Sequence, residues 1–130
     1  MKKIFLLTAL CLLFAGTALA QDAAKEVTRA AFATGIENRE PAEIITEYFP
    51  VESGVVFFFT ELKNMQDTQV FHVWHKNGEE VYRFTSNVAG PRWRTSSSMK
   101  AAHFKSGDEV IVEISGPNDE VYESKTLSIR

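Results

Sequence analysis

The sequence predicts an all-β protein: an antiparallel β-sandwich of immunoglobulin-like shape with about seven strands. Short segments rich in β-branched and aromatic residues recur from Val27 onward. Turn signals such as Asn77-Gly78 and Gly90-Pro91 separate these segments at intervals of about ten residues, which is typical of sandwiches. The run Val55–Leu62 is apolar on both faces and therefore predicts a central strand that is covered on both sides.

Residues 1–20 have the pattern of a secretory signal peptide. Lys2 and Lys3 precede an apolar stretch, and Ala18-Leu19-Ala20 provides a small-x-small cleavage signal before Gln21. The apolar stretch is shorter than the roughly 20 residues that a membrane-spanning helix needs. We therefore predict cleavage between Ala20 and Gln21 and a periplasmic or secreted protein with no membrane span after cleavage.

Cysteine and charge narrow the classes of function for the mature chain. The only cysteine, Cys11, lies in the predicted signal peptide, so a disulfide, a thiol nucleophile and a thiolate metal site are all excluded after cleavage. Without Lys2 and Lys3, 12 basic and 17 acidic side chains remain, a net charge of −5. This acidic balance argues against a nucleic-acid partner, which favours a basic surface.

The mature chain predicts one domain. Residues 21–26 are a polar, alanine-rich lead-in that we expect to be flexible, and residues 27–130 form a single β-sandwich domain. Val27–Thr34 has weak strand character. Residues 35–50 contain Pro41 and Pro50 and mixed apolar spacing, so we predict a connection with one helical turn there.

The dipeptide Asn77-Gly78 predicts a β-hairpin with a two-residue type I′ loop, because both loop positions require positive φ. An uninterrupted register places Trp74 opposite Val81 and His72 opposite Arg83. One face then carries the core residues Phe71, Val73, Tyr82 and Phe84. The other face carries His72, Trp74, Val81 and Arg83, a set that is aromatic and basic. Further strands are predicted at Arg92–Ser97, Glu109–Ser115 and Val121–Ile129.

The predicted binding face combines this second hairpin face with the strand that follows it. Arg92, Arg94 and Ser96 alternate with Trp93 along that strand, so arginines are expected to border the aromatic residues. Arginine stacks on rings and grips carboxylates or phosphates with paired donors. The expected ligand-binding residues are His72, Trp74, Arg83, Arg92, Trp93, Arg94 and Ser96. The structural alternative is that Trp93 is the core tryptophan, Trp74 is half-covered and the arginines only cover apolar surface.

The sequence indicates no catalytic residue, metal site or cofactor. His72 and His75 are three residues apart, which places them on opposite faces of a strand. The serines at 96–98 have no glycine-flanked nucleophile turn. Glu61 ends an apolar strand and is a candidate partner for an arginine.

Several motifs resemble a family of small bacterial domains that is known only as a domain of unknown function. The resemblance spans about Val27 to the C-terminus and rests on a set of short segments: Arg39-Glu40-Pro41, Phe59-Thr60-Glu61-Leu62, His72-x-Trp74, Asn77-Gly78, the block Gly90-Pro91-Arg92-Trp93-Arg94-Thr95, and Gly107. Members occur as exported domains or attached to membrane proteins. The resemblance implies an all-β domain and carries over no catalytic residue.

These observations favour a non-enzymatic binding or interaction module of the bacterial cell envelope. Its expected partner is a glycan, an anionic envelope ligand or another protein. One alternative is a hydrolase of envelope polymers that uses His72 or Glu61. Another is a purely structural envelope subunit.

Overall fold

The computed structural model describes residues 24–52 and 54–130 of the chain, so the predicted signal peptide lies outside the described residues. The described part is built almost entirely from strands. Their bounds are β1 (Glu26–Glu37), β2 (Glu40–Ile45), β3 (Tyr48–Phe49), β4 (Val55–Lys63), β5 (Thr68–Lys76), β6 (Glu79–Val88), β7 (Arg92–Lys100), β8 (Glu109–Ser115) and β9 (Val121–Ile129). A 3₁₀ turn, Ala101–His103, follows β7.

The strands form two sheets that pack face to face, which confirms the predicted all-β sandwich. A four-stranded sheet has the order β2-β1-β4-β7, and a five-stranded sheet has the order β3-β9-β8-β5-β6. Neighbouring strands are antiparallel except for the short pair β3 and β9, which is parallel. Nine strands are present in the described residues, against about seven predicted.

The additional strands come from the N-terminal region. β1 extends to Glu37 instead of ending at Thr34, and the predicted connection contains β2 and β3 without a helical turn. That prediction was wrong because Pro41 was taken as a strand breaker. β2 is an edge strand, where a missing backbone N–H costs little since one side of the strand has no partner. Asn38 and Arg39 close the β1–β2 hairpin.

The β5–β6 hairpin has the predicted turn but a different register. Asn77 and Gly78 have φ values of 50° and 88°, and Lys76 pairs with Glu79 as expected. The register then shifts between Trp74 and His75, so that Trp74 pairs with Tyr82 and His72 with Phe84. Val81 is the extra residue of a β-bulge.

This bulge reverses the predicted faces of β5. A one-residue slip moves every side chain that lies beyond the bulge, counted from the turn, to the opposite side relative to its partner strand. His72 and Trp74 therefore join Phe84 on the inner face, and both are fully buried. The prediction of an exposed face holding His72, Trp74 and Arg83 was wrong.

Both sheets contribute to one core. The inner residues of β4, which include Val56, Phe58 and Leu62, pack against Trp74 and the alternating apolar residues of β8. Phe58 lies edge-on to both His72 and Trp74, with ring centroids 5.0 Å and 6.4 Å apart. Edge-to-face contacts of this kind add to the stability given by burial. In the described residues, no helix is long and apolar enough to cross a membrane.

Candidate functional site

Two of the expected binding residues are part of the core. The His72 ring lies between two hydroxyls, with Nε2 3.1 Å from Thr60 Oγ1 and Nδ1 2.7 Å from Ser97 Oγ. Trp74 Nε1 donates to the same Ser97 oxygen at 2.9 Å. All four side chains are buried, so the contacts join β5 of one sheet to β4 and β7 of the other.

This buried network favours a neutral imidazole. Every polar atom is satisfied when Trp74 donates to Ser97, the Ser97 hydroxyl donates to Nδ1, and Nε2–H donates to Thr60. A charged ring would need two hydrogen-bond acceptors and would be destabilised by the loss of solvation. Burial accordingly lowers the pKa of His72 to about 3. The network aligns the two sheets and offers no group to a ligand.

Trp93 is also an inner-face residue, although it is only half-buried. Its Nε1 donates to Ser86 Oγ of β6 at 3.0 Å, which connects the edge strands of the two sheets close to the Gly90-Pro91 corner. It therefore acts as a bridge between sheets at one end of the sandwich.

The other expected residues lie on outer faces, and they do not converge. Arg83 is on the outer face of the five-stranded sheet, where it forms two hydrogen bonds to Glu80 and lies over the Phe71 ring. Arg92, Arg94 and Ser96 are on the outer face of the four-stranded sheet, as their predicted alternation required. The seven residues are thus divided between the core and two opposite surfaces.

The outer face of the four-stranded sheet carries an ion-pair network that we call the guanidinium cluster. It consists of Arg29, Arg92 and Arg94 with Glu40 and Glu61. Glu40 accepts paired hydrogen bonds from Arg29 at 2.8 Å each, and a third from Arg94. Glu61 accepts from Arg29 at 2.8 Å and from Arg92 at 3.1 Å. The predicted pairing of Glu61 with an arginine is confirmed.

The guanidinium cluster holds both carboxylates ionised. Hydrogen bonds from Arg29 and Arg94 lower the pKa of Glu40 to about 2. Hydrogen bonds from Arg29, Thr28 and Arg92 lower the pKa of Glu61 to about 2, against the opposing effect of burial. Glu40 lies at the tip of the β1–β2 hairpin, so these contacts show that the tip folds back over the sheet.

An opening between the edge strands β6 and β7 forms a sizeable concave feature, which we call the edge cleft. Its volume is about 570 Å³, within the range of small-molecule sites. Its lining is mainly apolar with a few polar groups: Val55, Val81, Tyr82, Met99 and Phe104 with Lys76, Ser98, Lys100 and His103.

The edge cleft follows from the strand order. β6 and β7 are edge strands joined by a short corner, and the Trp93–Ser86 bond holds them together near that corner. At the far end, the bulge at Val81 places two large side chains at the opening. Val81 and Tyr82 are each 40% exposed. Sequence reasoning missed this site because the uninterrupted register placed Tyr82 in the core.

The charged residues that line the edge cleft, Lys76 and Lys100, are both basic. Lys76 and Lys100 line it together with His103, and the lining contains no carboxylate. Lys76 Nζ lies 3.3 Å from the backbone oxygen of His103, which fixes the position of the ammonium group beside the 3₁₀ turn. The arrangement suits a ligand that has an apolar part and an anionic group.

The candidate hydrolytic residues are separated by a sheet. Thr60 and Glu61 are neighbours on β4, so their side chains point to opposite faces. His72 contacts Thr60 inside the core, while Glu61 joins the guanidinium cluster outside. His72 and Glu61 therefore have no common space in which a substrate would reach both.

A family model described as a protein of unknown function, DUF2914, matches residues 67–126. This segment is similar to that family, which confirms the resemblance to a domain of unknown function. The match extends from the loop before β5 into β9 and includes both edge strands of the edge cleft. A comparison with curated proteins finds no match.

Proposed function

We propose that this protein is an exported, non-enzymatic binding module of the bacterial cell envelope that takes an anionic amphiphile in the edge cleft. The observation that carries the proposal is an apolar cleft of about 570 Å³ with two lysines and a histidine at its rim. The export signal supports the compartment, since residues 1–20 have the pattern of a signal peptide.

The apolar lining supports a ligand with a hydrocarbon or aromatic part. Val81 and Tyr82 are exposed although each could bury a large apolar surface. Covering such surface contributes about 25 cal/mol for each Å² removed from water. Met99, also in the lining, has a flexible side chain that adapts to ligands of different shape.

The rim supports an anionic group on the same ligand. Lys76 and Lys100 provide ammonium donors on two different strands, one from each sheet. Hydrogen bonds to charged groups contribute about 1.5–3 kcal/mol each, more than neutral ones. Because the mature chain is negatively charged overall, the local positive charge of this rim gives an anion a favourable place to bind.

A calorimetric titration with matched small amphiphiles tests the proposal on protein comprising residues 21–130. Octanoate has the chain and the charge that the edge cleft requires. Octylammonium has the same chain with the opposite charge, and acetate has the charge without the chain. We expect octanoate to bind at least about tenfold more tightly than either, since it alone makes both kinds of contact.

Two variants locate the binding. Lys100→Gln removes a rim charge and Val81→Asp places a carboxylate at the exposed apolar opening, so both should weaken octanoate binding by about tenfold. Lys63→Gln is the matched control, because Lys63 lies at the opposite end of β4 from Val55. Equal affinity for octanoate and octylammonium, or an equal loss in the control, would refute the edge cleft as the site.

A further inference from the structure

A second, smaller cavity lies beneath the tip of the β1–β2 hairpin, on the outer face of the four-stranded sheet. We call it the hairpin pocket. It has a volume of about 70 Å³ and is lined by Ile36, Arg39, Phe59, Arg94, Thr95 and Ser96. That volume exceeds twice the roughly 30 Å³ that one water molecule occupies in the liquid. The pocket therefore has room for a single compact ion.

The polar groups of the hairpin pocket are donors. Arg39 and Arg94 contribute two guanidinium groups and Ser96 contributes a hydroxyl, while no carboxylate is in the lining. Ser96 lies on the outer face, where it pairs with Phe59 of β4. Phe59 is buried at the base of the pocket, and Arg29 lies over its ring at 5.0 Å.

The neighbouring ion pairs leave donor capacity unused. Glu40 binds only Nη1 of Arg94, and within residues 24–52 and 54–130 no hydrogen bond engages the other nitrogens of that group. The same described part of the chain shows no hydrogen bond or ion pair for the Arg39 side chain. With Arg39, four arginines stand against three carboxylates, those of Glu40, Glu61 and Glu37, the cross-strand partner of Glu40, so this group of residues carries a net positive charge.

The backbone at Arg39 is a separate observation that points the same way. Arg39 has a φ of 62° and follows Asn38 at 52°, so both loop positions are in the left-handed region. Glycine is the favoured residue at the second position of such a turn, and an arginine there is strained. Strain of this kind concentrates at functional positions. In this hairpin the strained residue places a guanidinium in the wall of the pocket.

The geometry points to an anion-binding site in the hairpin pocket, formed by Arg39, Arg94 and Ser96, for a tetrahedral oxyanion such as a phosphate or sulfate group. Paired guanidinium donors match the oxygen spacing of these groups, and arginine is the residue that recognises them best. This site is separate from the edge cleft and does not rest on the function proposed for it.

Titrations followed by NMR chemical shifts test this inference, with inorganic phosphate, inorganic sulfate, acetate and chloride as probes at constant ionic strength. Phosphate and sulfate should shift the amides of Arg39 and Ser96 in a saturable manner, and acetate and chloride should bind at least about tenfold more weakly. Glycerol phosphate distinguishes two sources of the group. Binding equal to that of phosphate indicates an ester headgroup, and exclusion indicates the free ion.

Three variants separate a pocket from general attraction. Arg39→Gly removes one guanidinium from the lining and should weaken phosphate binding by about tenfold, and Ser96→Ala should weaken it severalfold. Arg92→Gln is the matched control, since it removes the same charge from the same face at a side chain that is 65% exposed and does not line the pocket. Equal losses in Arg39→Gly and Arg92→Gln would overturn the inference, as would the absence of saturable binding to the unaltered protein.

Discussion

The two hairpins of this protein are closed by the same kind of two-residue loop, yet they use it differently. Asn77 and Gly78 close the β5–β6 hairpin with φ values of 50° and 88°, and Asn38 and Arg39 close the β1–β2 hairpin with 52° and 62°. The first loop has the glycine that this geometry favours. The second has an arginine, which accepts strain in the same position.

The surroundings of the two loops explain the difference. Asn77 is held by Asp108 and Glu109 through hydrogen bonds of 2.9 Å, and its hairpin directs His72 and Trp74 into the core. The β1–β2 tip instead folds over an outer face, where Glu40 binds two arginines and Arg39 lines a pocket. One hairpin therefore serves the stability of the sandwich, and the other presents charged groups at its surface.

The largest effect that tests this comparison is expected from Trp74. Trp74→Ala removes a fully buried ring from the β5–β6 hairpin and the donor to Ser97, so it should lower the free energy of unfolding by about 3–5 kcal/mol. Chemical denaturation monitored by circular dichroism measures the change.

Tyr82→Ala is the matched control for this variant. Tyr82 is the cross-strand partner of Trp74 but is 40% exposed, so its truncation should cost clearly less. If Tyr82→Ala lowers the free energy of unfolding more than Trp74→Ala does, the result would support the uninterrupted register and contradict the bulge at Val81.

The pH dependence of stability should also separate the two hairpins. The pKa of His72 falls from 6.5 to about 3 on folding. Between these two pH values, His72 is protonated in the unfolded chain and neutral in the folded protein. The free energy of unfolding should therefore decrease as the pH falls from about 6.5 towards 3, at up to about 1.36 kcal/mol for each pH unit.

The carboxylates of the guanidinium cluster affect stability at lower pH than His72 does. The pKa values of Glu40 and Glu61 fall from 4.5 to about 2, so their contribution is present above pH 4.5 and is lost between 4.5 and 2. Replacing His72 with Gln should flatten the stability curve between pH 6.5 and 4.5. A curve that keeps its slope in this variant would contradict the neutral, buried His72.

The smallest effects concern the loops themselves, and they should have opposite signs. Gly78→Val should destabilise the protein by about 1 kcal/mol, because a β-branched residue resists positive φ even though open space surrounds the position. Arg39→Gly should stabilise it by up to about 1 kcal/mol, because glycine adopts this conformation without strain. Thermal melts of both variants, each normalised to the unaltered protein, measure the pair.

Arg39→Lys completes this test, since it keeps the charge and the strain and should leave stability nearly unchanged. If Arg39→Gly lowers stability instead, the side chain contributes packing that outweighs the cost of its backbone. If Arg39→Gly both stabilises the protein and weakens phosphate binding, the strained backbone at Arg39 is retained for the pocket.

Several elements were predictable because their signals are local. Asn77-Gly78 encodes its own turn, and the alternation along Glu109–Ser115 and Val121–Ile129 gave the bounds that the structure has. β2 was not predictable in the same way, because Pro41 breaks a central strand and is tolerated at an edge. The position of β2 at the edge of its sheet depends on the whole fold.

The sequence by itself determined the all-β class, the hairpin turn at Asn77-Gly78 and the alternation of Arg92, Trp93 and Arg94, since each depends on neighbouring residues and on the period of two in a strand. Only the tertiary structure decided which residues share a surface. The bulge at Val81 placed His72 and Trp74 in the core, and the folding of the β1–β2 hairpin brought Arg39 to Arg94, which is 55 positions away in the chain. Such contacts between distant segments form through packing and have no local signal that a single sequence could reveal.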